Sequence, residues 1–217
     1  MKKAYLYRLY PREEQAALLQ QQLDVAREVY NACLLERREA YRMAGVTLNY
    51  YAQANQLKAI RRDRADIAAV NFSMLQAICR RAQRAYTAHK LVRAFDVLCH
   101  EDLAIKNMVR NHALARSISD AAWGQFIAIL VGKAEGAGRQ TVAVHPRDTS
   151  QTCVCGELVP KDLSERWHHC PRCGLSLPRD QVSAMLIKAL GLEMLANKSG
   201  LGSSPQAPTW PAGACVA

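Results

Sequence analysis

Four cysteines within a short segment constrain this chain more than any other feature of its sequence. Cys153 and Cys155 form one pair, fourteen residues follow, and Cys170 and Cys173 form the second pair. A glycine directly follows each pair, and glycine lets the backbone turn tightly beneath a metal-bound sulfur. Four thiolates complete the tetrahedral shell of a structural Zn²⁺ ion. The pattern predicts a zinc ribbon whose metal positions are all filled by protein.

Two details of this segment leave alternatives open. One residue separates Cys153 from Cys155, where two are usual, and His168 and His169 could replace Cys155 as ligands if it cannot reach the metal. These histidines could equally be exposed ribbon residues, and unrelated free thiols are the alternative to a zinc site. The chain shows no export signal, so we do not expect a disulfide framework from the scattered remaining cysteines, which are Cys33, Cys79, Cys99 and Cys215.

Positive charge is concentrated in the N-terminal region. Residues 1–90 hold 16 of the 29 lysines and arginines but only 8 of the 19 acidic residues. Such a surface attracts phosphate, because each neutralised phosphate releases condensed counterions. A solvated helical face without a ligand is the alternative. The candidate nucleic-acid contacts are Arg61, Arg62, Arg64, Arg80, Arg81, Arg84 and Lys90.

Residues 1–90 are predicted to form a basic helical bundle after a short strand from Lys3 to Leu9. A first helix begins with the acidic residues behind Pro11 and ends at Gly45, a second covers Tyr50 to Ile60, and a third starts near Ser73. Apolar residues spaced three and four positions apart predict one inward-facing side on each of two helices. These comprise Leu19, Leu23, Ala26, Tyr30 and Cys33 on the first helix, and Leu75, Ile78, Ala82 and Tyr86 on the third.

The second half of the chain has an α/β pattern. A buried strand is predicted from Ala94 to Cys99, with Glu101 and Asp102 at its carboxyl edge. A helix from Leu114 to Glu135, a strand from Thr141 to Val144 and a helix from Arg179 to Ala196 follow. We place Trp123, Phe126 and Leu130 inward on the first of these helices. Residues from 197 onward are too poor in large apolar side chains to pack, so a disordered tail is expected.

Four motifs carry a resemblance to a known family. They are E-D-L-A-I-K-N-M from Glu101, T-S-Q-T-C from Thr149, C-P-R-C-G from Cys170, and the pair Arg179-Asp180. In order and spacing they resemble the TnpB, or OrfB, proteins of bacterial insertion sequences, which are similar to type V CRISPR effectors. The opening Y-R-L-Y-P from Tyr7 is also similar to that family's start.

The resemblance implies a fold and a domain order. A basic helical, nucleic-acid-binding region at 1–90 would be followed by a partial RNase H-like (RuvC) segment at 91–152. The zinc ribbon would occupy 153–177, a RuvC-like C-terminal helix 178–196 and the tail 197–217. The fold class implied is α/β, with a zinc ribbon inserted into the partial RuvC-like domain.

The resemblance also implies a nuclease site, in which three carboxylates hold two divalent metal ions. Glu101 matches the second-motif Glu and Asp180 the third-motif Asp. Family members reach the first-motif Asp through a β-rich wedge, whereas here residues 91–93 run straight into the second-motif strand. Two of three carboxylates remain, so Mg²⁺ is expected only if the nuclease site is functional. From the residues alone, the alternative is that Glu101 is an ordinary acid at the end of a strand. Asp180 would then be an acid in the first turn of a helix, where it favours the helix dipole.

We therefore expect a transposition-associated protein of the RNA-guided nuclease type, with DNA and guide RNA as partners and cleavage deficient. The alternative is a non-catalytic nucleic-acid-binding repressor or a decayed remnant. No apolar stretch approaches the roughly 18 residues that a membrane-spanning helix needs, which favours the cytoplasm.

Overall fold

Two units, residues 1–88 and 89–217, divide the chain. The structure, a computed structural model, describes residues 8–111, 115–162 and 164–198. Most of the predicted N-terminal strand from Lys3 to Leu9 lies outside the described residues, and Arg8 and Leu9 are not in a strand. The predicted tail lies outside them from residue 199 onward.

Local signals explain where the N-terminal helices begin and end. Helix α1 spans Glu13–Ala44, α2 Tyr50–Asp63, α3 Ala65–Ala68 and α4 Phe72–Ala94. Two acidic residues in the first turn of α1 favour its start, and Gly45 ends it in the left-handed conformation with a φ of 66°. The Asn49 side chain accepts a hydrogen bond from the Ala52 N–H at 3.0 Å and so caps α2. The predicted helix starts and the end of α1 at Gly45 are confirmed.

The core of the helical unit uses only part of the predicted face of α1: Cys33 is buried as predicted, and Tyr30 packs against the core. Val25, Val29 and Cys33 are buried, whereas Leu19 and Leu23 are 45% and 58% exposed. Every residue from 13 to 23 is exposed, so the leucine stripe lies on turns that nothing in the described residues covers. Prediction of these two leucines as core was therefore wrong. On α4 the buried residues are Leu75, Cys79, Ala82, Ala85, Ala88 and Val92.

The second unit contains a strand, helix, strand arrangement. Strand β1 spans Val97–Glu101, followed by the short helices α5, Ile105–Met108, and α6, Ala115–Ala121, and by α7, Trp123–Gly136. Strand β2, Gln140–Val144, pairs in parallel with β1, with Glu101 opposite Val144. The predicted α/β pattern in this region is confirmed, as is the position of Glu101 at the strand's carboxyl end.

Two predicted boundaries were wrong. Helix α4 continues to Ala94, so the strand begins at Val97. The predicted single helix from Leu114 is interrupted at Ala122, whose φ of 49° lies in the left-handed region. Trp123 follows this break and is 45% exposed, because the interruption shifts the helical phase that would have turned it inward. Leu130 is buried as predicted.

A hairpin and a long helix complete the second unit. Strands β3, Trp167–His169, and β4, Ser176–Pro178, pair antiparallel, and α8 spans Arg179–Lys198. Helix α8 packs against β1 and β2, and Gly191 permits the close approach because a side chain there would collide with Cys99. The helices that the structure describes include none that could span a membrane.

Candidate metal centre and strand-end carboxylates

The four clustered cysteines converge on one point. The Sγ atoms of Cys153, Cys155, Cys170 and Cys173 all lie within 4.8 Å of one another. The Cys153–Cys173 and Cys155–Cys170 sulfur pairs are each 3.6 Å apart. A tetrahedral zinc ion with Zn–S bonds of about 2.3 Å would set its sulfurs about 3.8 Å apart. The donor set and its spacing therefore fit a zinc ion, and thiolates are poor ligands for Mg²⁺.

Two tight turns bring the thiols together. The N–H of Gly156 donates to the carbonyl of Cys153 at 2.9 Å, and the N–H of Gly174 donates to that of Cys170 at 3.0 Å. Both glycines have positive φ values, 87° and 73°, which side chains rarely adopt. Cys155 lies within the cluster despite the shortened spacing of its pair.

The neighbouring histidines have other partners. His168 is buried, and its Nδ1 lies 2.8 Å from Lys161 Nζ. His169 is exposed, with Nδ1 3.0 Å from Ser176 Oγ. Neither ring belongs to the converging cluster, so among the described residues four thiols form the candidate site without histidine.

The thiols differ in how readily they ionise. Burial raises the pKa of Cys153 to about 12. Burial also acts to raise the pKa of Cys170, but hydrogen bonds from the backbone amides of Cys173 and Arg172, together with those from the Cys173 and Cys155 thiols, lower that pKa to about 7. A metal ion binds thiolates, so it must displace protons from the less acidic sulfurs. Metal affinity should therefore rise with pH.

Glu101 is held by Thr149, which was not among the predicted site residues. The Thr149 hydroxyl donates to Glu101 Oε1 at 2.5 Å, and Thr149 is 4% exposed. The N–H of Asp102 donates to the carbonyl of Val144 at 2.8 Å and continues the pairing of the strands. Thr149 opens the T-S-Q-T-C motif, which was the available signal, but no local pattern links it to a glutamate 48 positions away.

Asp180 lies in the first turn of α8 and is largely open to solvent. Its side chain is 87% exposed, and its Oδ1 is 3.8 Å from Arg179 Nε. Of the other acids near the strands, Asp96 pairs with Arg139, and Asp148 lies 3.7 Å from Arg147 Nε. Across the described ranges, the cysteine cluster is the one group of three or more His, Cys, Asp or Glu side chains that converges.

Some of the candidate nucleic-acid contacts are hydrogen-bonded within the protein, and others are exposed to solvent. Arg64 donates to both Glu28 and Asp66, and these hydrogen bonds lower the pKa of each carboxyl. Arg61 donates to the carbonyl of Ala68 at 2.7 Å. These two arginines stabilise the helical unit itself.

The remaining basic candidates are more accessible. Arg62, Arg80, Arg81 and Lys90 are exposed, and Arg84 is half-buried. Arg80 lies over the Tyr50 ring at 5.1 Å. Burial, followed by the charge of Arg80, lowers the pKa of Arg84. Arg62 and Arg81 are therefore the clearest open cations of this set.

Two family models match the chain. The Cas12f1-like TNB domain matches residues 123–187, which include the four clustered cysteines. A helix-turn-helix domain of the OrfB type matches residues 1–45.

Several relatives are similar over longer stretches. A candidate RNA-guided DNA endonuclease of Streptomyces pristinaespiralis is 32% identical over 174 residues, which are 79% of this chain and 42% of that protein. TnpB-like proteins of Acanthamoeba polyphaga mimivirus are 31% identical over 114 residues, covering 49% of this chain and 22% of theirs. The chain thus spans less than half the length of these relatives.

Proposed function

We propose that this chain, a member of the TnpB/OrfB family, is a transposon-associated protein that binds DNA and guide RNA but does not cut DNA by itself. Glu101 and Asp180 would be the remnants of a RuvC-like site whose first aspartate is missing. A structural zinc ion, held by the four clustered cysteines, would maintain an inserted ribbon. The observation that carries the proposal is the lack of a converging acidic group among the described residues.

Metal chemistry explains why that observation matters. Two divalent ions that clamp the attacking and leaving oxygens require several converging carboxylates, because oxygen ligands must offset their charge. Glu101 accepts from Thr149, and Asp180 is exposed beside Arg179. In the described part of the chain, no further acidic side chain joins Glu101 or Asp180 to complete a metal site.

The sheet supports the same proposal. In the described residues β1 pairs with β2 alone, and the chain enters β1 directly from α4. A RuvC-like domain with its first strands would offer β1 a second neighbour and supply the missing aspartate. The direct connection leaves no residues for either, so we infer that the nuclease fold is partial.

Cleavage is tested with purified protein, Mg²⁺, a guide RNA of the type used by the relatives and a matched DNA target. We expect no cut product above that of a Glu101→Gln variant, which serves as the matched background. The S. pristinaespiralis relative, treated identically, shows whether guide and target are competent. Efficient guided cutting by this chain that depends on Glu101 would refute the proposed deficiency.

Nucleic-acid binding is tested by gel-shift titration at rising salt. Arg62→Gln/Arg81→Gln should bind more weakly and reduce the slope of log K against log salt by about 2, because each phosphate contact contributes about 0.9. Arg38→Gln/Arg42→Gln on α1 is the matched control, since both arginines pair with Glu39. A salt-independent affinity of the parent protein would remove the proposed phosphate-binding surface.

A further inference from the structure

Two cysteines in the helical unit take part in none of the functions above. Cys33 on α1 and Cys79 on α4 are 7% and 0% exposed. Their Sγ atoms are 3.7 Å apart although the residues lie 46 positions apart in sequence. The fold therefore brings together two thiols that belong neither to the candidate zinc site nor to the basic surface.

A cavity lies beside this thiol pair. Its volume is about 270 Å³, and both Cys33 and Cys79 line it. The lining also includes Glu28, Gln56 and Arg64, which are exposed, so the cavity is open at that end. Cys79 itself has no exposed surface, so a peroxide reaches its sulfur only when the cavity wall opens locally.

We propose that Cys33 and Cys79 form an oxidisable dithiol, which small hydroperoxides convert into an intramolecular disulfide between α1 and α4. The proposal rests on the paired sulfurs and on the open cavity, and it is independent of the proposed nucleic-acid binding. A disulfide bond requires the sulfurs to approach to about 2.05 Å. The observed sulfur separation of 3.7 Å must therefore shorten through side-chain rotation and movement of the helices.

The reaction balances with one peroxide molecule. The Cys79 thiolate attacks one peroxide oxygen and breaks the O–O bond, which leaves a sulfenic acid on Cys79 and releases hydroxide. The Cys33 sulfur then attacks the Cys79 sulfur, forms the S–S bond and displaces the sulfenic hydroxyl as water. The two thiol protons end in the two water molecules formed. The dithiol loses two electrons, and the peroxide gains them.

The surroundings favour Cys79 as the first nucleophile. A hydrogen bond from the Cys33 thiol, assisted by the charge of Arg37, lowers the pKa of Cys79 against the opposing effect of burial. The same hydrogen bond and burial raise the pKa of Cys33. Cys79 therefore reacts with peroxide, and Cys33 resolves the sulfenic acid.

The test treats full-length, zinc-loaded protein with an equimolar amount of hydrogen peroxide, followed by non-reducing peptide mapping. We expect a linked Cys33–Cys79 peptide pair, lighter by two hydrogen atoms and restored by dithiothreitol. The melting temperature of the helical signal should rise by several degrees, because the bond restricts the unfolded chain. Cys99→Ala, which removes a partly buried cysteine outside the pair, should still form the link.

A second variant separates the two steps. Cys33→Ala should stop at the Cys79 sulfenic acid, which dimedone captures, and should show no rise in melting temperature. If this variant fails to fold, the peptide map of the parent protein decides alone. The proposal is overturned if Cys33 and Cys79 stay reduced while Cys99 is oxidised, or if their link forms only after denaturation.

Discussion

The helical unit and the region around the clustered cysteines differ in how much apolar surface they bury. Among the described residues, one core in the helical unit contains nine buried residues from α1 to α4, including Val29, Leu57 and Leu75. The core around the cysteines contains four, and two of these are the candidate metal ligands Cys153 and Cys170. The strands of its hairpin are only three residues long. Burial of apolar surface can stabilise the first region, whereas the second needs a bound metal ion or a covalent cross-link.

The two regions also differ in how they treat buried polar groups. In the helical unit Arg37 is 1% exposed, and its guanidinium donates to Gln53 and Gln83 at 2.7 Å in both cases. Gln53 in turn donates to the Cys33 carbonyl at 2.9 Å. Side chains from three helices therefore pair with one another, although Arg37 Nη2 has no hydrogen-bond partner among the described residues. Around the cysteines, a metal ion would have to satisfy the buried sulfurs.

The largest expected effect follows from removing one thiol. Cys153→Ser should lose bound zinc, from one ion per chain to none, and should unfold the hairpin, because structural zinc sites contribute about 10–16 kcal/mol of apparent binding free energy. The helical signal of α1 to α4 should persist. Elemental analysis and hydrogen exchange measure the two regions separately.

The control for this change is Cys99→Ser, which removes a thiol outside the cluster. Its zinc content should equal that of the parent protein. A strong chelator should reproduce the Cys153→Ser pattern in the parent protein. If the zinc-free parent protein kept its hairpin folded and protected from hydrogen exchange, the cysteine region would not depend on a metal ion for its stability.

Local patterns predicted the cysteine region better than the helical core. Metal ligands follow from spacing over a few residues, and the thiols of Cys153 and Cys170 converge as their spacing indicated. The strand, helix, strand order was also predicted, whereas the parallel pairing of β1 with β2 is a finding of the structure. By contrast, the spacing of Leu19 and Leu23 identifies a stripe on a helix but not whether another element covers it. The burial of Arg37 depends on glutamines from α2 and α4, so no local signal marks it.

An intermediate effect is expected at Arg37. Arg37→Met should destabilise the helical unit by about 2 kcal/mol, because the oxygens of Gln53 and Gln83 lose charge-assisted bonds inside the core. Urea unfolding followed by circular dichroism measures the change. The neighbouring Arg38→Met is the matched control, since the Arg38 side chain is 70% exposed and pairs at the surface with Glu39. Equal free energies of unfolding for the two variants would mean that the buried hydrogen bonds of Arg37 contribute no more stability than the surface ion pair of Arg38.

The smallest expected effect lies at the surface of the helical unit, where Arg64 joins Glu28 to Asp66. Hydrogen bonding by Arg64 lowers the pKa of Asp66 to about 2, below the ordinary value of about 3.9 that it regains on unfolding. A carboxyl with a depressed pKa stabilises the fold above its unfolded value, and this contribution is lost as the pH falls from about 4 towards 2. Arg64→Met should therefore lower the melting temperature slightly at pH 7 and not at pH 2.

The exposure of these groups limits the effect and provides its check. The Arg64 and Glu28 side chains are 44% and 54% exposed, so molar salt at pH 7 should also reduce the difference in melting temperature. Arg62→Met is the matched control, because that exposed arginine is two positions away and should show neither dependence. Comparison of variants at each pH cancels the effect of acid on the zinc site. If the melting temperature of Arg64→Met stays below that of the parent protein at pH 2, Arg64 stabilises the helical unit by packing of its aliphatic stem. Its ion pairs with Glu28 and Asp66 would then contribute nothing measurable to the stability of this unit.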